Sequence, residues 1–202
     1  QVFAVEEVNI EFFRKQLDSV FNNFRIDCLK IGLIPNSQML LILNSYLKHY
    51  NGISVLDPVL VSSSGHSFVD NDFIEVLKNE ILPYITVITP NQHELQMLSG
   101  QPITDFDQAT KQAEILSERY KLTVYVKGGH FSDNPIKEAF INTDFRLNFE
   151  LPRFDWKYNH GTGCAFSSAL AVNLILEKDI NLAVHNASGY VRDFYNQCNH
   201  SK

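Results

Sequence analysis

Four short segments carry residue types suited to chemistry. The first is Asn159-His160-Gly161-Thr162-Gly163-Cys164-Ala165-Phe166, in which two glycines precede small residues and a long apolar stretch. If that stretch is a helix, its first-turn N–H groups and macrodipole make an anion site. The plainer reading is a Gly-rich turn with Thr162 as cap and Cys164 as a small core residue. In the field of a helix start, the Cys164 thiol is expected to have a lowered pKa and to act as a base or hydrogen-bond partner to an attacking hydroxyl; a buried, inert cysteine is the alternative. The second segment, Val126-Lys127-Gly128-Gly129-His130, offers a cation and glycine amides to phosphate oxygens, or else a solvated lysine before a turn. The third, Asp57-Pro58, is a carboxylate beside a metal or a cationic lysine, or ordinary turn chemistry. The fourth, Thr89-Pro90-Asn91-Gln92-His93-Glu94, fits a capping box from Asn91 to Glu94.

These segments need elements to bring them together, and the chain alternates helix and strand. Ile10, Phe13, Leu17, Val20, Phe21 and Phe24 recur at three- and four-residue steps and predict a helix over 9–24. Apolar runs at 27–33, 53–56, 85–89 and 122–126 predict strands. Between them, 36–50 (capped at Asn36-Ser37), 70–81, 91–99 and 105–120 predict helices. Residues 136–141 and 145–151 flank Asn142-Thr143-Asp144 and predict a hairpin. Helices over 164–177 and about 181–197 complete the chain. Strands separated by helices imply a mostly parallel sheet covered on both faces. Ligands of such sheets sit at the carboxyl ends of the strands, here residues 30–33, Asp57-Pro58, 89–91 and 127–130. The polar loop Ser62-Ser63-Ser64-Gly65 is either plain surface or close to the ligand.

Composition sets the limits. The 202 residues are 45% hydrophobic with a net charge of −6, enough for one sizeable core. The acidic balance and lack of a basic cluster argue against nucleic acid. No apolar run approaches the roughly 18 residues of a membrane span. Cys28, Cys164 and Cys198 are odd in number and widely spaced, which argues against a disulfide framework and for a reducing compartment; Cys28 and Cys198 read as structural. The chain begins with Gln1 rather than Met, and an N-terminal segment is expected to precede it.

Taken in order, several stretches resemble the hydroxymethylpyrimidine (phosphate) kinases of thiamine biosynthesis, members of the ribokinase-like superfamily that also includes pyridoxal kinases. They are Asp27-Cys28-Leu29-Lys30-Ile31-Gly32-Leu33, Leu56-Asp57-Pro58-Val59-Leu60-Val61, Ser63-Ser64-Gly65, Val87-Ile88-Thr89-Pro90-Asn91 with Glu94, Val126-Lys127-Gly128-Gly129-His130 and His160-Gly161-Thr162-Gly163-Cys164. The resemblance implies a three-layer α/β/α sandwich with a mostly parallel sheet lacking its first strand or strands, in one domain over 1–202. It implies ATP-dependent phosphorylation of a pyrimidine alcohol or its monophosphate, with a pyridine alcohol as the alternative acceptor.

In that scheme Gly161, Thr162, Gly163 and Cys164 form the anion hole, with Cys164 beside the attacking hydroxyl. Lys127, Gly128, Gly129 and Asp57 serve the ATP phosphates. Asp57 and Glu94 organise Mg²⁺, and Gly32 and Leu33 line the substrate. A homodimer is implied by sibling kinases, and a cytoplasmic location is expected. Leu33 replaces the family's usual Met, His66 stands where Asp often follows Ser-Gly, and a Gly-rich segment that helps enclose the pyrimidine has no counterpart before Gln1. A non-catalytic binding relative is the reading from another class; the retained Asp57, Glu94, Lys127 and Cys164 speak against it.

Overall fold

A computed structural model describes residues 6–60, 71–156 and 160–200. The Ser62–Gly65 loop, Val61, His66, Asn159 and the residues before Glu6 lie outside them.

Among the described residues a six-stranded sheet runs in the order β1 (Cys28–Ile31), β2 (Ile53–Leu56), β3 (Val87–Ile88), β4 (Thr123–Val126), β5 (Ile136–Ile141) and β6 (Arg146–Leu151). The first four strands are parallel and the last two antiparallel, as a hairpin requires. Helices α1 (Ile10–Asn23), α2 (Ser37–Leu47), α3 (Asn71–Val76), α4 (Gln92–Ser99) and α5 (Phe106–Tyr120) precede β5, and α6 (Thr162–Leu176) and α7 (Ile180–His200) follow the hairpin.

Sequential parallel strands joined by right-handed crossovers place their connecting helices on one face of the sheet. Strand alternation then splits the core in two. Leu56, Ile88, Val124 and Val126 pack with Leu40, Leu77, Leu95 and Leu116 from that face. Val55, Val87 and Tyr125 point the other way, onto Phe166, Leu170, Val184 and Val191 of α6 and α7. The β5–β6 hairpin precedes α6, whose N-terminal turns lie at the carboxyl edge, where Ser167 meets Asp57.

Some boundaries differ from the sequence reading. The helix expected over 70–81 ends as an α-helix at Val76 and continues as a π-helical turn over Leu77–Ile81, which holds Leu77 and Ile81 in the core. The strand expected over 85–89 pairs only through Val87 and Ile88. Helix α2 stops at Leu47 rather than Tyr50, and α6 begins two residues early, at Thr162. Of the apolar stripe on α1, Leu17 packs on the core and Phe21 meets Tyr46, while Val20 and Phe24 are exposed.

Candidate active site

Asp57 follows β2, where its N–H donates to the Ile31 carbonyl at 2.9 Å and extends the ladder by one rung. The residue is only 2% exposed, and a carboxylate so placed needs partners to stay ionised. It has four. The Lys127 ammonium lies 2.7 Å from Oδ1, with the lysine side chain itself 15% exposed. The Thr89 hydroxyl donates to the same oxygen at 3.3 Å. The Ser167 hydroxyl stands 3.2 Å from Oδ2 and 3.1 Å from the Cys164 carbonyl, and the Cys164 thiol also donates to the carboxylate. Burial pushes the Asp57 pKa up, but the charge and hydrogen bond of Lys127, the charge of Lys30 and the thiol together hold it below the ordinary carboxylate value. Four sequence segments thus meet at one carboxylate.

Above it stands the N-terminus of α6. Its N-cap is Gly161, at φ +84°, with no side chain closing the helix end. The first intrahelical bond runs from the Ala165 N–H to the Gly161 carbonyl at 2.9 Å, which leaves the Thr162, Gly163 and Cys164 amides without an intrahelical acceptor. Thr162, read from sequence as a capping candidate, is the first helical residue instead. Gly163 owes its place to proximity: a Cβ there would stand 3.3 Å from the Lys127 ammonium. Gly161 is fixed by its left-handed φ and by Tyr195, whose hydroxyl would lie 3.1 Å from a Cβ at that position. The same hydroxyl donates to the His160 carbonyl at 2.7 Å, so α7 clamps the turn that precedes the open helix end.

The electrostatics of Cys164 correct the sequence reading. The helix field alone predicts an acidified thiol. Instead burial and the Asp57 carboxylate raise its pKa, and these outweigh the lowering effects of Lys30 and Lys127. Asp57 lies 107 positions away in sequence, so no local pattern around Cys164 announces it. At neutral pH Cys164 is a thiol that donates to Asp57.

Glu94 presents the opposite case. Its carboxylate accepts from the Asn91 N–H at 2.8 Å while the Asn91 side chain accepts from the Glu94 N–H at 3.0 Å, a complete capping box at the start of α4. The side chain is buried. That burial pushes its pKa up to about 7, against the lowering influence of Lys127, the Asn91 and Leu60 amides, and with a further rise from Asp57.

The glycines after β4 divide. The Gly128 N–H donates to Glu138 of β5 at 3.3 Å, and a Cβ there would strike the Lys137 carbonyl, so this glycine serves the β4–β5 contact. Its expected role as a phosphate-facing amide is at odds with that hydrogen bond. Glu138 is in turn hydrogen-bonded by the buried Tyr125. Gly129 is exposed with open space at its Cβ position, and its carbonyl accepts from Arg153 at 3.2 Å. At the other end of the edge, Gly32 and Leu33 follow β1, with Leu33 42% exposed. A Cβ on Gly32 would stand 2.9 Å from the Lys30 ammonium.

A divalent cation with phosphates prefers oxygen ligands, keeps several waters and needs only one or two carboxylates. Asp57 and Glu94 fit that role through coordinated water, because the oxygens of Asp57 already accept from Lys127, Thr89 and Ser167 and one of Glu94 accepts from Asn91. Among the described residues no group of three or more His, Cys, Asp and Glu is arranged to hold a metal.

Sequence reasoning assigned no role to Thr89, Ser167, Lys30 or Tyr195. Thr89 and Lys30 lie inside the quoted motifs and Ser167 directly follows one, so all three are legible as neighbours; Tyr195 sits 35 residues beyond His160 in an ordinary amphipathic helix and has no local signal. Cys198, read as structural, is exposed, and Cys28 is partly buried. A depression lined by Phe145, Leu147 and Ile180 lies at the opposite end of the sheet from Lys127.

Known proteins share this build. A hydroxymethylpyrimidine/phosphomethylpyrimidine kinase of Rhizobium meliloti is 31% identical over 191 residues, 94% of this chain and 72% of that protein. The crystal structure of a phosphomethylpyrimidine kinase from Clostridium difficile superimposes with a TM-score of 0.77 at 26% identity, covering 95% of this chain and 78% of that one. A pyridoxal kinase of Staphylococcus aureus in complex with ADP does so with a TM-score of 0.82 at 25% identity, covering 92% and 68%. These neighbours share the ribokinase-like α/β/α build. The phosphomethylpyrimidine kinase profile matches residues 1–200, and with that span the chain belongs to the phosphomethylpyrimidine kinase family of small-molecule kinases.

Proposed function

We propose that the chain transfers the γ-phosphoryl group of ATP to hydroxymethylpyrimidine and to its monophosphate. The observation that carries this reading is the uncapped N-terminus of α6 standing over the Asp57–Lys127 pair at the carboxyl edge of the sheet. Phosphoryl transfer asks little covalent work of a protein and much positioning and charge neutralisation. The Thr162, Gly163 and Cys164 amides have no intrahelical acceptor, and with them comes the positive end of a 15-residue helix. Negative charge that builds on the transferring group meets donors that need no rearrangement. Asp57 fixes the Lys127 ammonium beside Gly163, and Mg²⁺ arriving with ATP would offset the charge of the bound phosphates through water held by Asp57 and Glu94.

Cys164 acts in this account by position. Its raised pKa keeps it protonated, and a loose transition state requires little removal of the acceptor's proton before transfer. Gly32 and Leu33 supply the substrate side, and Gly129 remains open toward the nucleotide phosphates.

A pyridine alcohol is the second reading, favoured by the likeness to the Staphylococcus aureus pyridoxal kinase. ADP release measured with hydroxymethylpyrimidine, its monophosphate and pyridoxal separates the two. Turnover with either pyrimidine well above that with pyridoxal supports the main reading; turnover with pyridoxal alone replaces it; none with any of the three leaves a binding relative. We extend the same reading to a cytoplasmic homodimer. The described residues contain no helix long and apolar enough to cross a membrane, and sedimentation velocity measures the assembly.

A further inference from the structure

Two ammonium groups bear on Asp57, those of Lys127 and Lys30, and they are held differently. Lys127 is committed: it is paired with Asp57 at 2.7 Å and packs against Gly163. Lys30 makes no ion pair or hydrogen bond among the described residues. It sits on β1, opposite Val55 of β2, and shares the sheet face of Cys28, the face covered by α6 and α7. Its ammonium lies over Gly32, where a Cβ would come within 2.9 Å of it. It is therefore a partly buried cation beside the segment expected to line the acceptor, on the strand that flanks β2 on the side away from β4 and Lys127.

From this geometry we infer that Lys30 is the acceptor-side cation, whose task is to neutralise the phosphate of a monoester acceptor while Lys127 serves the nucleotide. The inference rests on the function proposed above and names which of its two acceptors this residue serves. The two acceptors pose different problems. An alcohol brings no charge but must lose a proton, which passes to an oxygen of the transferred phosphoryl group or to water. A phosphate monoester dianion has no proton to lose at the attacking oxygen but brings two negative charges toward the triphosphate. In the second reaction a monoester oxygen forms the new P–O bond at the γ-phosphorus. The bond from that phosphorus to the β,γ-bridging oxygen breaks, and the bridging oxygen keeps the electron pair as ADP leaves.

Lys127, already paired with Asp57, has little charge to spare for a second dianion. An ammonium without a paired carboxylate, standing over the acceptor segment, supplies it.

The test measures kcat/KM for hydroxymethylpyrimidine and for its monophosphate at saturating MgATP, in the unmodified chain and in Lys30→Gln, Lys30→Met and Lys30→Arg. Removing a charged donor to phosphate should lower the ratio of monophosphate to alcohol activity about a hundredfold in Lys30→Gln and Lys30→Met, and Lys30→Arg should restore most of it. An equal fall for both acceptors, or no change in the ratio, overturns the assignment, as does an unmodified chain that phosphorylates the alcohol and ignores the monophosphate. If the unmodified chain turns over neither pyrimidine, the function proposed above fails, and this inference with it. Should Lys30→Met unfold, Lys30→Gln carries the comparison, with thermal melts as the check.

Discussion

Two helices begin at the same edge of the sheet and are finished in opposite ways. Helix α4 closes itself: the Asn91 side chain takes the Glu94 amide and the Glu94 side chain takes the Asn91 amide. Helix α6 starts on Gly161 with no side chain to cap it, and the groups around it are a lysine, a buried aspartate and a tyrosine that clamps the preceding turn. Uncapped first-turn amides lose roughly a kilocalorie per mole of stabilisation relative to a good cap. Within one fold, the difference separates a helix start that serves stability from one that serves an anion. The sequence reading already sets the Asn91–Glu94 box apart from the Gly-led start at 161–163.

The largest effect expected from this contrast is at Gly163. Gly163→Val places carbon where the Lys127 ammonium approaches to 3.3 Å and disturbs the amides. Turnover should fall at least about a hundredfold, while the thermal melt stays close to that of the unmodified chain. A variant with full turnover would mean that α6 does not receive the phosphoryl group.

Cys164 gives the next test. Cys164→Ser keeps a small donor to Asp57 and should retain much of the turnover. Cys164→Val, which cannot donate and is bulkier, should lose most of it. If Cys164→Ser instead falls steeply and recovers at higher pH, the residue acts as a base.

Glu94 probes the closed helix. Its pKa of about 7 lies above the ordinary 4.5, so the folded chain binds this proton more tightly than the unfolded one. Its contribution to stability is complete below about pH 4.5 and is lost as pH rises through 7, a difference of about 3 kcal/mol. Glu94→Gln keeps an acceptor for the Asn91 amide and removes the titration. Unfolding free energies measured at pH 5 and pH 8 should differ by about 2.5 kcal/mol more in the unmodified chain than in the variant. Parallel pH profiles for the two would contradict the buried placement of the carboxyl.

The smallest effect is at Tyr195. Tyr195→Phe removes the hydrogen bond to the His160 carbonyl and leaves the ring stacked on Trp156. A loss of about 1 kcal/mol in positioning corresponds to a several-fold fall in kcat with KM unchanged. A pure stability loss with intact kcat would make the clamp structural only.

What the sequence displayed and what it hid follow from the range of the interactions. The β2 and β4 runs and the Asn91–Glu94 box are local, and each was readable within a window of a few residues. The strand-tip rule brought Asp57 and Lys127 to one edge because a parallel sheet aligns its carboxyl ends. Hidden were the contacts between distant segments: Ser167 on Asp57, 110 positions apart, and Tyr195 on His160. The direction of the Cys164 shift failed for the same reason, since the helix field is local and the opposing carboxylate is not. The role of Gly128 was obscured by the hairpin that folds back on it, an approach of the Lys137 carbonyl that no pattern around Lys127 contains.

The most direct measurement is amide chemical-shift mapping of the ¹⁵N-labelled chain with ADP, Mg²⁺ and aluminium fluoride, which imitates the transferring phosphoryl group. The Thr162, Gly163 and Cys164 amides should show the largest downfield shifts, while the Asn91 and Glu94 amides, already bonded to each other's side chains, move little. Large shifts at Asn91 and Glu94 with none at Thr162–Cys164 would contradict the assignment of the open helix end as the phosphoryl site.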